Sequence, residues 1–284
     1  MAHPALVPGA VAVVTGGASG IGLAAARHFA ATGMRVAIAD LGGDRLGEAA
    51  AALAEAAPDG AASVLVVETD VADRAAEVAL EAVVRERFGG TDVLMNNAGI
   101  GPESTVLGPA AAWERTLAVN LWGVIHGTQA FAPGMAARDR PGLIVTTGSK
   151  QGITTPPGNP AYNVSKAGVK VVTEALAHEL RNTPSCQVTA HLLIPGFVFT
   201  GLTRGERRDK PPAAWTPEQT VDFMLTRLEA GDFYILCPDN DVSRELDERR
   251  MAWAAGDVIE NRPALSRWHP DYAEVFAAYV KGEA

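Results

Sequence analysis

Apolar residues fall along this chain in short unbroken runs, separated by longer alanine-rich stretches with helical spacing. The runs Val11–Val14, Arg35–Ala39, Ser63–Val67, Val93–Met95, Leu143–Thr146 and Val188–Ile194 carry few polar residues, as strands covered on both faces require. Between them, Ile21–Ala31, Asp44–Ala57, Ala72–Phe88, Ala112–Ala132 and Tyr162–Leu180 carry the pattern of helices. Strict alternation of apolar strand and helix predicts a parallel sheet with helices on both sides, because parallel strands need a crossover between them. Right-handed crossovers then give a doubly wound, Rossmann-type α/β fold.

The pattern changes after Thr200. Gly201–Trp215 is rich in charge, Gly and Pro and is expected to be a mobile loop. Thr216-Pro217-Glu218-Gln219 is a helix start, with Thr at the N-cap, Pro at the first helical position and Gln at the third. That helix should reach about Ala230, and Phe233–Cys237 should add a seventh strand to the sheet. Helical patterns recur near Val242–Ala255 and Tyr272–Val280. No repeat or low-complexity linker divides the chain, so residues 1–284 are expected to form a single domain.

Composition narrows the function. A 284-residue chain that is 48% hydrophobic has enough apolar surface for one large core. Its net charge of −9 argues against nucleic acid as a partner, since phosphate binding needs clustered Lys and Arg. The two cysteines, Cys186 and Cys237, and the six scattered histidines show no metal-ligand spacing, and both thiols are expected to be reduced and buried. No signal-peptide pattern and no membrane-spanning apolar run is visible, so the expected location is cytoplasmic.

Two stretches carry the chemistry. The first strand runs into Thr15-Gly-Gly-Ala-Ser-Gly-Ile-Gly22, and a helix follows. Glycines at 16, 20 and 22 let the backbone turn tightly and approach a pyrophosphate, while Ser19 adds a hydroxyl and the helix N-terminus offers free N–H groups. Asp40 closes the second strand, where a carboxylate accepts hydrogen bonds from adenosine ribose hydroxyls and repels a 2′-phosphate. With no basic residue in the glycine loop, NAD is the expected cofactor, although Arg45 lies close in sequence. The second stretch is Tyr162-x-x-x-Lys166, which on a helix sets an ammonium one turn from a phenol. A phenol ionises near 10, and bringing it to neutrality takes about 3–4 kcal/mol of phenolate stabilisation. One cation about 4 Å away supplies roughly that much at an effective dielectric near 20. The pair is therefore expected to be a tuned acid/base.

Several motifs in one order resemble the short-chain dehydrogenase/reductases: the glycine loop, Asp70-Val71, Asn96-Asn-Ala-Gly99, Asn120, Ser149, Tyr162-x-x-x-Lys166 and Pro195-Gly-Phe-Val-Phe-Thr200. The resemblance covers residues 10–238 and leaves 239–284 as a C-terminal helical extension. It implies roles residue by residue. Gly16, Ser19, Gly20, Ile21, Gly22 and Asp40 would bind the cofactor. So would Asp70 and Val71 at the adenine, and Asn97, Ala98 and Gly99 along the cleft wall, although that motif also braces a sheet. Pro195, Gly196, Val198 and Thr200 would grip the nicotinamide side, and Thr200 equally suits a loop N-cap. Ser149, 13 residues ahead of Tyr162, would be the catalytic serine, Lys166 would bond the ribose, and Asn120 would hold a water behind the lysine. Gln151 and Asn159 would face the substrate.

The reaction so implied is hydride transfer between NAD and a secondary alcohol or ketone, with Tyr162 exchanging the hydroxyl proton. Lys150 leaves room for a charged substrate without indicating one. Trp253, Trp268, Tyr272, Phe276 and Tyr279 in the extension would line an apolar site or bury a subunit contact, the latter favoured by their helical spacing. A homodimer or homotetramer joined along the Ala112–Ala132 and Tyr162–Leu180 helices is implied as well. Three other readings stay open: an NADP-preferring ketone reductase, a non-catalytic NAD(H)-binding regulator, and a sugar-nucleotide epimerase or dehydratase, which would usually need more chain after Thr200.

Overall fold

The computed structural model describes residues 2–282. The first half of the chain lays down β1 (Val11–Thr15), α1 (Gly20–Ala31), β2 (Arg35–Asp40), α2 (Gly43–Ala56), β3 (Val64–Glu68), α3 (Arg74–Phe88) and β4 (Val93–Asn96). The second half adds α4 (Ala110–Leu117), α5 (Gly123–Ala136), β5 (Gly142–Thr147), α6 (Gln151–Thr154), α7 (Pro160–Asn182), β6 (Val188–Ile194), α8 (Gly201–Arg204), α9 (Pro217–Glu229) and β7 (Tyr234–Leu236). Two further helices, α10 (Arg244–Ile259) and α11 (Ala273–Lys281), follow β7.

The seven strands form one sheet in the order β3-β2-β1-β4-β5-β6-β7, with every pair parallel. Successive side chains of β1 point to opposite faces. Ala12 and Val14 pack with Phe29, Ile38 and Leu53 beneath α1, α2 and α9, whereas Val11 and Val13 pack with Leu80, Phe131 and Leu176 beneath α3, α5 and α7. Fully burying each large apolar side chain contributes about 1.5–3 kcal/mol, and two such layers fix the strand register. Strand order reverses between β1 and β4, so their carboxyl ends diverge and leave a crevice, the usual binding place in an open α/β sheet.

Three elements, and one cysteine, differ from the sequence expectation. The single helix expected over Ala112–Ala132 is broken by a π-helical turn at Ala118–Trp122, which separates α4 from α5 and carries Asn120. α7 begins earlier than Tyr162, because the Asn159 side chain accepts the Tyr162 N–H and Pro160 occupies the first helical position. The Gly201–Trp215 loop opens with the α8 turn, and its end is pinned to the chain after β6: Trp215 N–H donates to Phe197 C=O at 2.9 Å, and Phe199 N–H to Trp215 C=O at 2.9 Å. Of the two cysteines only Cys237 is buried, while Cys186 is half-buried.

Some aromatic residues of the extension pack on one another. Trp253 is buried against Phe276 and Tyr279, with the Arg262 guanidinium 4.0 Å from its ring centre and its indole N–H donating to Ser266 Oγ at 2.7 Å. Phe276 and Tyr279 remain half-buried, and Trp268 is exposed. Among the described residues no helix is long and apolar enough to cross a membrane.

Candidate active site

The crevice is a cavity of about 800 Å³ running from the β2 end to the α7 start. Its floor is the glycine loop, where Gly16 and Gly20 adopt left-handed backbone, with φ of +64° and +54°. A Cβ on Gly16 would stand 2.7 Å from Ala98 Cα, so only glycine lets β1 and β4 approach this closely. Ser19 and Ile21 line the same floor. Gly22 does not; a Cβ there would stand 2.2 Å from Gly16 O, so its work is packing the loop on α1.

At one end Asp40 is fixed by two backbone donors, Leu41 N–H on Oδ1 at 2.8 Å and Ala18 N–H on Oδ2 at 3.0 Å. The exposed Arg45 guanidinium stands 3.9 Å from the same carboxylate. Asp70 and Val71 line the neighbouring wall, and Asp70 Oδ1 accepts the Ala72 N–H at 3.0 Å. Asn97, Ala98 and Gly99 line the opposite wall. The Asn97 side chain is spent on bracing, however. Its amide donates to Thr15 O at 3.2 Å and Gly16 O at 3.3 Å, and its oxygen accepts from Thr147 Oγ1 at 3.1 Å. What Asn97 offers the cleft is position rather than a free hydrogen bond.

Ser149, Tyr162 and Lys166 meet at the other end, with Pro195, Gly196, Val198 and Thr200 across from them. Thr200 is also the N-cap of α8, its N–H donating to Thr203 Oγ1 at 3.1 Å. The Ser149 hydroxyl hydrogen-bonds the Tyr162 side chain and accepts the Gln151 N–H at 3.1 Å. The expected partnership of Tyr162 with Lys166 takes another form. Lys166 is 4% exposed, its Nζ lies 5.7 Å from the centre of the Tyr162 ring, and it donates to the Thr147 carbonyl at 2.8 Å. Burial pushes the Tyr162 phenol above its usual range, and the Ser149 hydrogen bond offsets part of that. Burial likewise lowers Lys166 to about 8. The ammonium therefore does not by itself hold the phenol down: its hydrogen bond goes to a strand-end carbonyl, and desolvation of the phenol is the larger effect.

Asn120 is fully buried and does not reach the cleft surface. Its oxygen accepts the Ile100 N–H at 2.8 Å, and its amide donates to Ile100 O at 2.9 Å and Ser165 Oγ at 3.2 Å. Asn120 Oδ1 and Lys166 Nζ stand 3.5 and 3.8 Å from where a Gly99 Cβ would be, so the two groups both approach Gly99.

A second cavity, about 460 Å³, adjoins the first, and Gln151 and Asn159 both line it. Ser149 and Tyr162 line both cavities and stand on the boundary between them. Sequence reading missed Asp239, Val242 and Arg250, which line the second cavity from beyond β7. No motif marks them, because they reach the site only through the packing of α10 near α6.

Residues 10–211 match the family model described as short chain dehydrogenase. The chain belongs to the short-chain dehydrogenase/reductase family. Like its relatives it is an oxidoreductase, and the seven-stranded parallel sheet is that family's Rossmann-like fold. The 1-deoxy-11-beta-hydroxypentalenate dehydrogenase of Streptomyces avermitilis is 33% identical over 248 residues, covering 85% of this chain and 89% of that protein. Among solved structures, a short-chain dehydrogenase/reductase from Burkholderia phymatum in complex with NAD superposes with a TM-score of 0.79 at 29% identity, covering 90% of this chain and 96% of the other. The alcohol dehydrogenase of Thermococcus sibiricus, complexed with 5-hydroxy-NADP, superposes with a TM-score of 0.68 at 27% identity, covering 78% and 90%. Short-chain dehydrogenase/reductases thus bind a nicotinamide cofactor, with either form represented among the neighbours. The left-handed glycine loop, the fixed carboxylate and the length of the crevice in this member fit such a dinucleotide.

Proposed function

We propose that this enzyme interconverts a secondary alcohol and a ketone with NAD, using Tyr162 as the proton-exchanging group. The observation that carries the reading is the shared boundary: Ser149 and Tyr162 line both the dinucleotide-sized crevice and the smaller cavity beside it. A substrate hydroxyl placed there touches both side chains while its carbon faces the nicotinamide end of the crevice.

NAD, when bound, would supply the hydride acceptor. As the carbinol carbon gives up its hydrogen with the C–H pair, the O–H pair becomes the second bond of the carbonyl and the proton passes to the Tyr162 oxygen. Ser149 donates to the substrate oxygen as negative charge develops there. Lys166, held by the Thr147 carbonyl, keeps a positive charge behind the phenol, and Asn120 fixes the Ile100 backbone beside it. In the reducing direction Tyr162, kept protonated by burial, returns its proton to the forming alkoxide. NAD is favoured over NADP because the fixed Asp40 carboxylate repels a ribose phosphate. Exposed Trp122, Val164 and Val171, at the start of α5 and along α7, support a homo-oligomeric contact.

Replacing Tyr162 with Phe tests the reading. Turnover of secondary alcohols should fall about 10²–10⁴-fold, as loss of a general acid/base costs, while NADH affinity by fluorescence titration stays within a few-fold of wild type. A Phe variant with full activity would refute it.

A further inference from the structure

The far wall of the second cavity comes from the segment after β7, and its charges are unequally partnered. Lys150, the residue after Ser149, is bound twice: its Nζ lies 3.4 Å from Asp239 Oδ2 and 2.5 Å from Asp247 Oδ2. Asp239 also accepts the Phe197 N–H at 3.3 Å and the Asp241 N–H at 3.2 Å. These three groups are consumed within the wall, so the lysine that the sequence offered for a charged substrate is not free to meet one. Arg250 differs. It stands one helical turn along α10 from Asp247 and lines the cavity, yet among the described residues its guanidinium makes no hydrogen bond or ion pair, and its Nε is buried without a partner. Counting Arg267, which is close enough to interact electrostatically with both Arg250 and Asp247, three cations face two carboxylates here.

A guanidinium carries five donors in a planar fork that matches a carboxylate, and leaving the buried Nε donor unmade is costly. We propose that Arg250 binds a carboxylate on the substrate, so that the enzyme's substrate is a hydroxy acid and its product the matching keto acid. The carbinol sits at Ser149 and Tyr162, and the acid group reaches across the cavity to Arg250. The assignment rests on the reading of that boundary as the reacting end, and it adds a charge requirement that a neutral alcohol does not meet.

Binding separates this from the redox reading. The full-length protein, saturated with NADH (or with NADPH should only that bind), is titrated calorimetrically with butyrate, hexanoate and octanoate and with the three matching amides. Carboxylates should bind about tenfold or more tightly than amides, the difference a charge-assisted hydrogen bond makes. Arg250→Leu should erase that ratio and Arg250→Lys should keep part of it; Arg250→Gln replaces the leucine variant if the latter does not fold. A structural role for Arg250 would weaken acids and amides alike. Equal binding of acids and amides, no binding of any acid, or an unchanged ratio in the leucine variant overturns the proposal. If the ratio holds while Tyr162→Phe stays active, the redox reading fails and the carboxylate site stands; a dead Phe variant with no ratio gives the reverse.

Discussion

Tyr162 and Lys166 pull the pH dependence in opposite directions. With Tyr162 as the proposed base, alcohol oxidation would need an ionised phenol, which burial makes scarcer, so the oxidative rate should climb as pH rises. Lys166, lowered to about 8, loses its ammonium over the upper part of that range, so the climb should flatten above about 8. A pH profile of kcat/KM with a secondary alcohol checks both limbs, and a rate that keeps rising steeply well above that point would show that the lysine charge is dispensable. At the other end of the cleft, Asp40 is the residue proposed to select NAD, and the Arg45 guanidinium stands 3.9 Å away. Asp40→Ser should cut kcat/KM with NAD about tenfold and raise it with NADP, since a fixed negative charge is exchanged for a net positive corner. Parallel assays with the two cofactors give the ratio directly. Both residues were legible in the sequence by place, Asp40 at a strand end and the Tyr–Lys pair by its one-turn spacing. What spacing could not give was where the ammonium spends its hydrogen bond, because the Thr147 carbonyl reaches Lys166 only through the pairing of distant segments.

Among the elements, strands and most helices were legible because apolar runs of two different periods alternate without interruption. The π-helical turn at Ala118–Trp122 was not, since one extra residue in a helical turn leaves the apolar spacing of α4 and α5 nearly continuous. The α7 start was legible in principle: Asn159-Pro160 is a cap followed by a first-turn proline, a signal overshadowed by the Tyr162 motif. α3 holds an acid the pattern did not flag. Glu77 is fully buried on the face turned to α5, with neither carboxyl oxygen hydrogen-bonded, and burial raises it to about 7. The folded chain therefore keeps this proton over a pH range in which the unfolded chain, ionising near 4.5, has lost it. Stability contributed by the neutral acid is present at low pH and falls as pH rises through that window, with the full cost remaining above about 7. Glu77→Gln removes the titration. Urea unfolding should show the variant gaining on wild type up to about pH 7 and staying ahead by about 3 kcal/mol beyond it. A gap that does not change with pH would mean that Glu77 does not titrate there.

Taken whole, the molecule ties its last fifty or so residues to the segment after β5 through Lys150, which reaches Asp239 beyond β7 and Asp247 on α10. Removing the ammonium strands two nearly buried carboxylates, so Lys150→Met should destabilise the protein by about 3–5 kcal/mol, as breaking a buried ion pair does. Adding Asp247→Leu should recover part of that loss in thermal unfolding, because it removes one of the stranded charges along with its partner. This connection was invisible in the sequence: Lys150 and Asp247 are 97 positions apart, and neither belongs to a periodic pattern. The fold and cofactor cleft lie largely within residues 10–211, the span shared with the family, whereas Asp239, Val242 and Arg250 lie outside it. One wall of the second cavity is thus written outside the shared span, and a lineage could reshape that wall while inheriting the crevice intact.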